Sequence, residues 1–171
     1  MPRYVAFLRG VGPVNAKMPA LQACFESAGF SNVRTLRTSG NVVFDARSSP
    51  MAALERRAEK AMQAGLGHSF DTYVRPAIYL QKLIAADPFA EFSIAPQEKR
   101  VLIFLRRPVE SAAELPIERE FGRILKLSGT EAFSAYVPGP KGSAFMALIE
   151  RTFGADITTR TIDTVSKCAW A

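Results

Sequence analysis

The order in which short β-rich runs and helical stripes alternate through the first half of the chain leaves few folds open. A β-rich run from Arg3 to Leu8 ends at Gly10. After the loop "GVGPVNAK", Met18, Leu21, Cys24, Phe25 and Ala28 recur at the spacing of one helix face. Gly29 stands where a left-handed residue closes a helix. "NVRTL" and "NVVFDA" read as short strands around a turn at Ser39-Gly40. "SSP" starts a second helix, with Ser49 as its cap and Pro50 in its first turn. Met51, Leu54, Ala58, Ala61 and Met62 form its buried stripe. "FDTYVR" is a further strand, ended by Pro76. This β-α-β-β-α-β order is that of the ferredoxin-like unit, an antiparallel sheet with two helices on one face. A connecting helix from about Ala77 to Ala86 is stopped by Asp87-Pro88.

The second half repeats the pattern in part. Phe7-Leu8-Arg9 recurs as Phe104-Leu105-Arg106, "TSGNVVF" (Thr38–Phe44) is echoed by "LSGTEAF" (Leu127–Phe133), and "ALERR" (Ala53–Arg57) by "ALIER" (Ala147–Arg151). Three echoes in the same order argue for a duplicated half. The fold class expected is therefore α+β: two ferredoxin-like α/β subdomains, their antiparallel sheets covered by helices. Residues 1–90 hold the first with the connecting helix, and residues 91–171 the second. A C-terminal helix carrying Ile162, Val165 and Ala169 stands where a last strand would be. "FSIAPQEKR" (Phe92–Arg100) reads as an exposed segment between the halves.

With 48% hydrophobic residues the chain can fill an interior, which excludes disorder. The net charge of +6 favours anionic partners such as phosphates or nucleic acid. Lys and Arg are nevertheless spread along the chain, as in an ordinary basic soluble protein. Cys24 and Cys168 lie in helical runs with no metal-ligand or disulfide spacing, and read as buried thiols. No apolar run approaches the ~20 residues of a membrane span. The apolar run of "MPRYVAFLRG" is broken by Arg9 and is a strand rather than a signal peptide. The location expected is cytoplasmic, with no membrane partner.

His68 is the single histidine, so a multi-histidine metal site is excluded, and it reads as a surface or helix-terminal residue. No nucleophile motif, Walker loop or dinucleotide fingerprint is present. Neither a metal nor a cofactor is expected, and no catalytic residue is assigned. Loop residues at strand ends remain as candidates. In "RGVGPVNAK", Gly10 and Gly12 can turn backbone N–H groups towards an anion, Asn15 adds a polar side chain, and Arg9 and Lys17 supply charge at a helix start. The same glycines would serve a plain connecting loop. Ser39 and Asn41 flank Gly40 and offer polar contacts at the turn, which also reads as a simple hairpin. In "TTRTIDTV", Thr158 or Thr159 would cap the last helix, and Arg160 near its start is electrostatically awkward unless an anion or Asp163 relieves it. Trp170 reads as a packing anchor.

"FLRGV", "KMPAL", "GFSNVRT", "SGNVVF", "DPF" and "TTRTIDTV", in that order, resemble the motifs of the bacterial domain-of-unknown-function 1697 family over almost the whole chain. The resemblance implies cytosolic proteins of two ferredoxin-like subdomains, and no activity. Where the family runs Arg-Gly-Ile-Asn-Val-Gly-Gly-Lys, this chain has a shorter loop with Pro13. Where the family has Asn-Trp-Asn, it has Thr161, Ile162 and Asp163.

Three function classes follow. The first is binding of a small anionic or phosphorylated ligand through Arg9, Gly10, Gly12, Asn15, Lys17, Ser39, Asn41 and Arg160. The second is RNA or single-stranded nucleic-acid binding, which needs aromatics exposed on the sheets. The third is an enzyme acting on a phosphorylated substrate through arginine electrostatics.

Overall fold

The computed structural model describes residues 1–36, 40–110 and 114–171. The chain divides into two compact units, Met1–Lys82 with Ser166–Ala171, and Leu83–Val165. The architecture is α+β, with two antiparallel sheets and five helices among the described residues.

In the first unit β1 (Arg3–Leu8), α1 (Met18–Ser27), β2 (Ser31–Leu36), β3 (Asn41–Asp45), α2 (Met51–Leu66) and β4 (Thr72–Pro76) follow in the expected order, and α3 (Ala77–Ala85) continues from β4. The sheet order is β2-β3-β1-β4, every pair antiparallel. Side chains alternate across a strand. Tyr4, Ala6, Leu8, Val42, Phe44 and Val74 therefore form one core with Leu21 and Phe25 of α1 and Leu54, Ala58 and Met62 of α2. Phe44 lies at its centre, its ring 4.2 Å from that of Phe30 and 5.6 Å from that of Phe25. The other face is just as closed, since Val5, Phe7, Val43 and Tyr73 have no exposed surface.

Local chemistry sets the ends of these elements. Gly29, at φ +91°, follows α1; its N–H donates to Glu26 O at 3.0 Å, while the Phe30 N–H donates to Phe25 O at 3.3 Å. Those two bonds satisfy carbonyls that the helix end would leave unpaired. Ser49 does not cap α2 as expected. Pro50 occupies the cap position with no side-chain bond, and the Ser49 hydroxyl donates to the nearer Arg47 carbonyl at 2.9 Å. At the outer edge of the sheet, two α2 carboxylates accept from β4: Glu59 from the Thr72 N–H and Glu55 from the Val74 N–H, both at 2.9 Å.

The second unit holds β5 (Lys99–Leu105), β6 (Ile117–Arg119), β7 (Gly122–Ser128), β8 (Glu131–Tyr136), α4 (Gly142–Phe153) and β9 (Ile157–Thr161), with α5 (Ile162–Ala169) continuing from β9. Its sheet runs β6-β7-β8-β5-β9, and Ile103, Leu105, Ile124 and Ala132 pack against Phe145, Leu148, Ile149 and Phe153 of α4. Three expectations are corrected here. First, among the described residues β6 follows β5 where a helix was expected; "RRPVE" and "ELPIERE" carry prolines and no helical stripe. Second, the last strand is present, as β9 paired with β5. Its sequence "ITTRT" is β-branched at four of five positions, which suits a strand better than a helix cap. Thr158 and Thr159 lie inside it, and Thr161 instead accepts the Thr164 N–H at 3.4 Å at the start of α5. Third, Trp170 is not a packing anchor: it follows the end of α5 and is 58% exposed.

The two sheets share a register. The Leu8 N–H donates to Gly40 O at 2.9 Å and the Leu105 N–H to Thr130 O at 2.8 Å. Val5 stands opposite Arg75, as Leu102 stands opposite Arg160.

Candidate functional site

Three residues of the loop between β1 and α1 hold one another in place. The Asn15 side-chain oxygen accepts the Gly12 N–H at 2.8 Å, and its amide nitrogen donates to Gly10 O at 2.8 Å. The Asn15 and Ala16 N–H groups both donate to Gly12 O at 3.3 Å. Gly10, at φ +85°, allows the chain to leave β1 in the left-handed conformation this turn requires. The loop is tied to its surroundings at two further points. The Arg9 N–H donates to Asp71 O at 2.9 Å, and His68 Nε2 lies 2.9 Å from Asn15 O. A carbonyl only accepts, so His68 carries its proton on Nε2 in this contact. His68 is exposed and follows the helix-ending Gly67.

The loop ends at Lys17, which is the N-cap residue of α1 and exposed. No side chain caps this helix, and no acidic residue lies in its first turn. The first N–H groups of a helix have no partner within it and carry partial positive charge, so a lysine there adds charge of the same sign.

Gly40, just before β3, comes up against this loop. A Cβ placed on Gly40 (φ +75°) would fall 2.9 Å from the Val11 side chain and 3.2 Å from Leu8. Ser39 lies outside the described residues. Asn41 pairs with Phe7, has no exposed surface, and donates its amide to Leu36 O at 3.1 Å. Arg160 belongs to the second unit. It does not start a helix but sits in β9, where one guanidinium nitrogen donates to the Thr158 hydroxyl at 2.9 Å and to Thr159 O at 2.7 Å. The structure thus brings Arg9, Gly10, Gly12, Asn15 and Lys17 into one ordered segment and places Asn41 inside the sheet.

Two further concavities were not singled out by the sequence. In the first unit Arg3, Asn32, Arg34 and Asp45 line one of about 530 Å³. The Asn32 amide donates to Asp45 at 2.7 Å and Arg3 pairs with it at 2.9 Å; these hydrogen bonds, Asn32's above all, hold the Asp45 carboxyl below the usual range. In the second unit a cavity of about 540 Å³ is walled by Ile94–Pro96, by Glu98, Lys99 and Arg100, and by Thr161–Asp163. Its residues come from segments more than 60 positions apart, so no local motif marks it. No group of three or more His, Cys, Asp or Glu residues that could hold a metal occurs among the described residues.

Residues 1–132 match a family model described as a protein of unknown function, DUF1697. The chain belongs to the DUF1697 family. The match takes in the Arg9–Lys17 loop, the hairpin and the Ile94–Arg100 wall of the second cavity. The DUF1697 chain shares its fold with the conserved bacterial protein SP0830 from Streptococcus pneumoniae, at a TM-score of 0.70 and 18% identity over 99% of this chain and 97% of that one. No curated protein matches it in sequence. No helix among its described residues is long and apolar enough to cross a membrane.

Proposed function

We propose that this DUF1697 protein binds a small anionic or phosphorylated ligand at the loop between β1 and α1. Lys17 and Arg9 supply charge, and Gly10, Gly12 and Asn15 fix the backbone. One observation carries the reading: the Asn15 clamp delivers an exposed lysine to a helix N-terminus that has neither a capping side chain nor an acidic residue. Such a terminus favours an anion in physical terms even though Pro19 in its first turn has no N–H to offer, and an incoming anion would relieve the like charges gathered there. The chain's net charge of +6 draws ligands of that sign. Asn41 is left out, because its amide is engaged inside the sheet.

A thermal-shift panel of inorganic phosphate, nucleotides, sugar phosphates and carboxylates, at two salt concentrations, tests the reading. A ligand at a hundred times its Kd adds about 2.7 kcal/mol. In a chain of this length each kcal/mol moves Tm by roughly 2–4 °C. One member should stabilise the wild type and fail to stabilise Lys17→Ala. Silence across the panel, or an equal shift in the variant, overturns the proposal.

The nucleic-acid reading draws no support from the sheets: Tyr4, Phe7, Phe44, Tyr73, Phe104 and Phe133 are buried, and the half-buried Tyr136 is already stacked on Phe145. No reaction is assigned.

We further read the two units as copies of one ferredoxin-like β-α-β-β-α-β unit, with β6 in place of the first helix in the second copy. The common register of Leu8 with Leu105 and of Arg75 with Arg160 supports this. A cytoplasmic location fits two buried, unbridged cysteines.

A further inference from the structure

Arg3 and Arg100 hold the same position in their sheets: each is the β-strand residue two before a shared reference, Val5 and Leu102, which face Arg75 and Arg160. Their cross-strand neighbours differ. Arg3 stands opposite Asp45 and pairs with it at 2.9 Å. Arg100 stands opposite Ala135, which can offer no counter-charge. The side chains of Arg100 and its neighbour Lys99 are exposed and make no hydrogen bond or ion pair among the described residues.

Both cations line the cavity of about 540 Å³ in the second unit. One wall of that cavity is rigidly built. Glu98 accepts the Ala95 N–H at 3.0 Å, and Arg123 grips the same carboxylate with bonds of 2.9 and 3.2 Å while donating to Ser93 O at 2.9 Å. Glu98 is thereby paired with Arg123 rather than with Lys99 or Arg100. Asp163, also in the lining, is engaged in an interaction of its own. Ile94, Pro96 and Ile162 give the cavity an apolar part, and Thr161 a hydroxyl beside it. A volume in this range is that of small-molecule sites, where a few polar groups orient a largely apolar ligand.

We propose that this cavity is a second ligand site, taking an amphiphilic anion: a carboxylate or phosphomonoester head held by Arg100 and Lys99, and an apolar or aromatic body laid against Ile94, Pro96 and Ile162. The planar guanidinium suits either head group in a two-point grip. The site is independent of the α1 loop, since it lies in the other unit and shares none of its residues.

The test is a titration of amide NMR signals with 1-naphthyl phosphate, 1-naphthoate and inorganic phosphate, on the wild type, Arg100→Glu, Arg100→Lys and Lys17→Ala. At least one naphthyl compound should give saturable shifts centred on Lys99, Arg100, Thr161 and Ile162. Its affinity should fall at least about tenfold in Arg100→Glu, recover in part in Arg100→Lys, and stay unchanged in Lys17→Ala. The stronger of the two naphthyl compounds identifies the head group. No saturable shift at these amides up to millimolar concentration overturns the proposal, as does binding that survives Arg100→Glu. Inorganic phosphate binding as tightly as the naphthyl ester would remove the apolar half of the site and overturn it too. Arg100 is exposed, so the variants test recognition rather than folding, and unchanged amide spectra away from the cavity check this.

Discussion

The guanidinium of Arg57 donates to the carbonyl of Ala28 at 2.7 Å while its central carbon lies 4.6 Å from the centroid of the Phe30 ring. One α2 side chain thus satisfies an end carbonyl of α1 and lies over the aromatic that follows it. Arg57→Met keeps the apolar stem and loses both contacts. Each is made at an exposed site, so the expected loss is about 1 kcal/mol in total. A chemical-denaturation midpoint that does not move would show that solvent replaces both contacts at no cost.

Little of that relationship can be read from the sequence, because Arg57 and Ala28 are 29 positions apart and neither residue carries a local signal. What was legible had a local signature. The β-rich apolar run "RYVAFL" and the helical stripe through Leu21 and Phe25 placed the first unit's opening strand and helix. The glycine after α1 marked its end, because a positive φ there has a residue signature. The second unit was harder. "TTRT" follows a short apolar cue and precedes an amphipathic helix, so strand and helix start compete there and β-branching decides for the strand. The site divides in the same way. Loop glycines and cations are visible in the chain, whereas the clamp of Asn15 and the meeting of Lys99 and Arg100 with Thr161 are made only by the fold.

Asn15→Ala removes both bonds that close the loop on Gly10 and Gly12. Because the site is exposed, global stability should fall by no more than about 1 kcal/mol. The local effect should be larger: faster amide exchange at Gly12 and a weaker response to any anion that binds through Lys17. Equal exchange at Gly12 in the two proteins would mean that the backbone bonds to Gly12 O hold the turn without the side chain.

Asn32 has φ +48° and donates to Asp45, whose carboxyl is held below its usual range first by that bond and then by Arg3. A carboxyl depressed in the folded state stabilises the fold above its unfolded pKa of about 3.9, and that contribution is lost as pH falls through the lower folded value. Asn32→Gly keeps the left-handed backbone accessible and deletes the amide. The Asp45 titration should then move upward towards the ordinary carboxyl range, and the variant should lose stability near neutral pH while differing less from the wild type in strong acid. Carboxyl carbon NMR against pH measures this directly. An unmoved midpoint would assign the depression to Arg3 and the N-terminal ammonium.

A Cβ on Gly122 would fall 2.5 and 2.7 Å from two ring carbons of Phe145, which stacks on Tyr136 with centroids 5.1 Å apart. The clash is between a strand backbone and a buried ring, with no positive φ involved, so it is a packing conflict. Gly122→Ala should cost roughly 1–3 kcal/mol, the range for overfilling a packed interior. Phe145→Leu, itself destabilising, should relieve the conflict, so that the double variant is more stable than the sum of the two single losses. Strict additivity in a double-mutant cycle would argue against a direct contact.

Glu55 and Glu59 are one helical turn apart on α2, and their carboxylates accept the Val74 and Thr72 N–H groups along the outer edge of β4. An open strand edge is a template for pairing with another chain, and charged side chains are one way of blocking it. Glu55 is buried, with 4% of its surface exposed. Glu55→Ala therefore leaves a buried N–H without its acceptor and should cost about 1–3 kcal/mol, whereas Glu55→Gln keeps an acceptor oxygen and should cost less. The double variant Glu55→Ala, Glu59→Ala should in addition self-associate in light scattering at concentrations where the wild type does not. Stability lost without association would mean that these carboxylates complete the hydrogen bonding of β4 and do not guard its edge. Association by the Gln variant as well would show that the negative charge, rather than the acceptor oxygen, keeps other strands away.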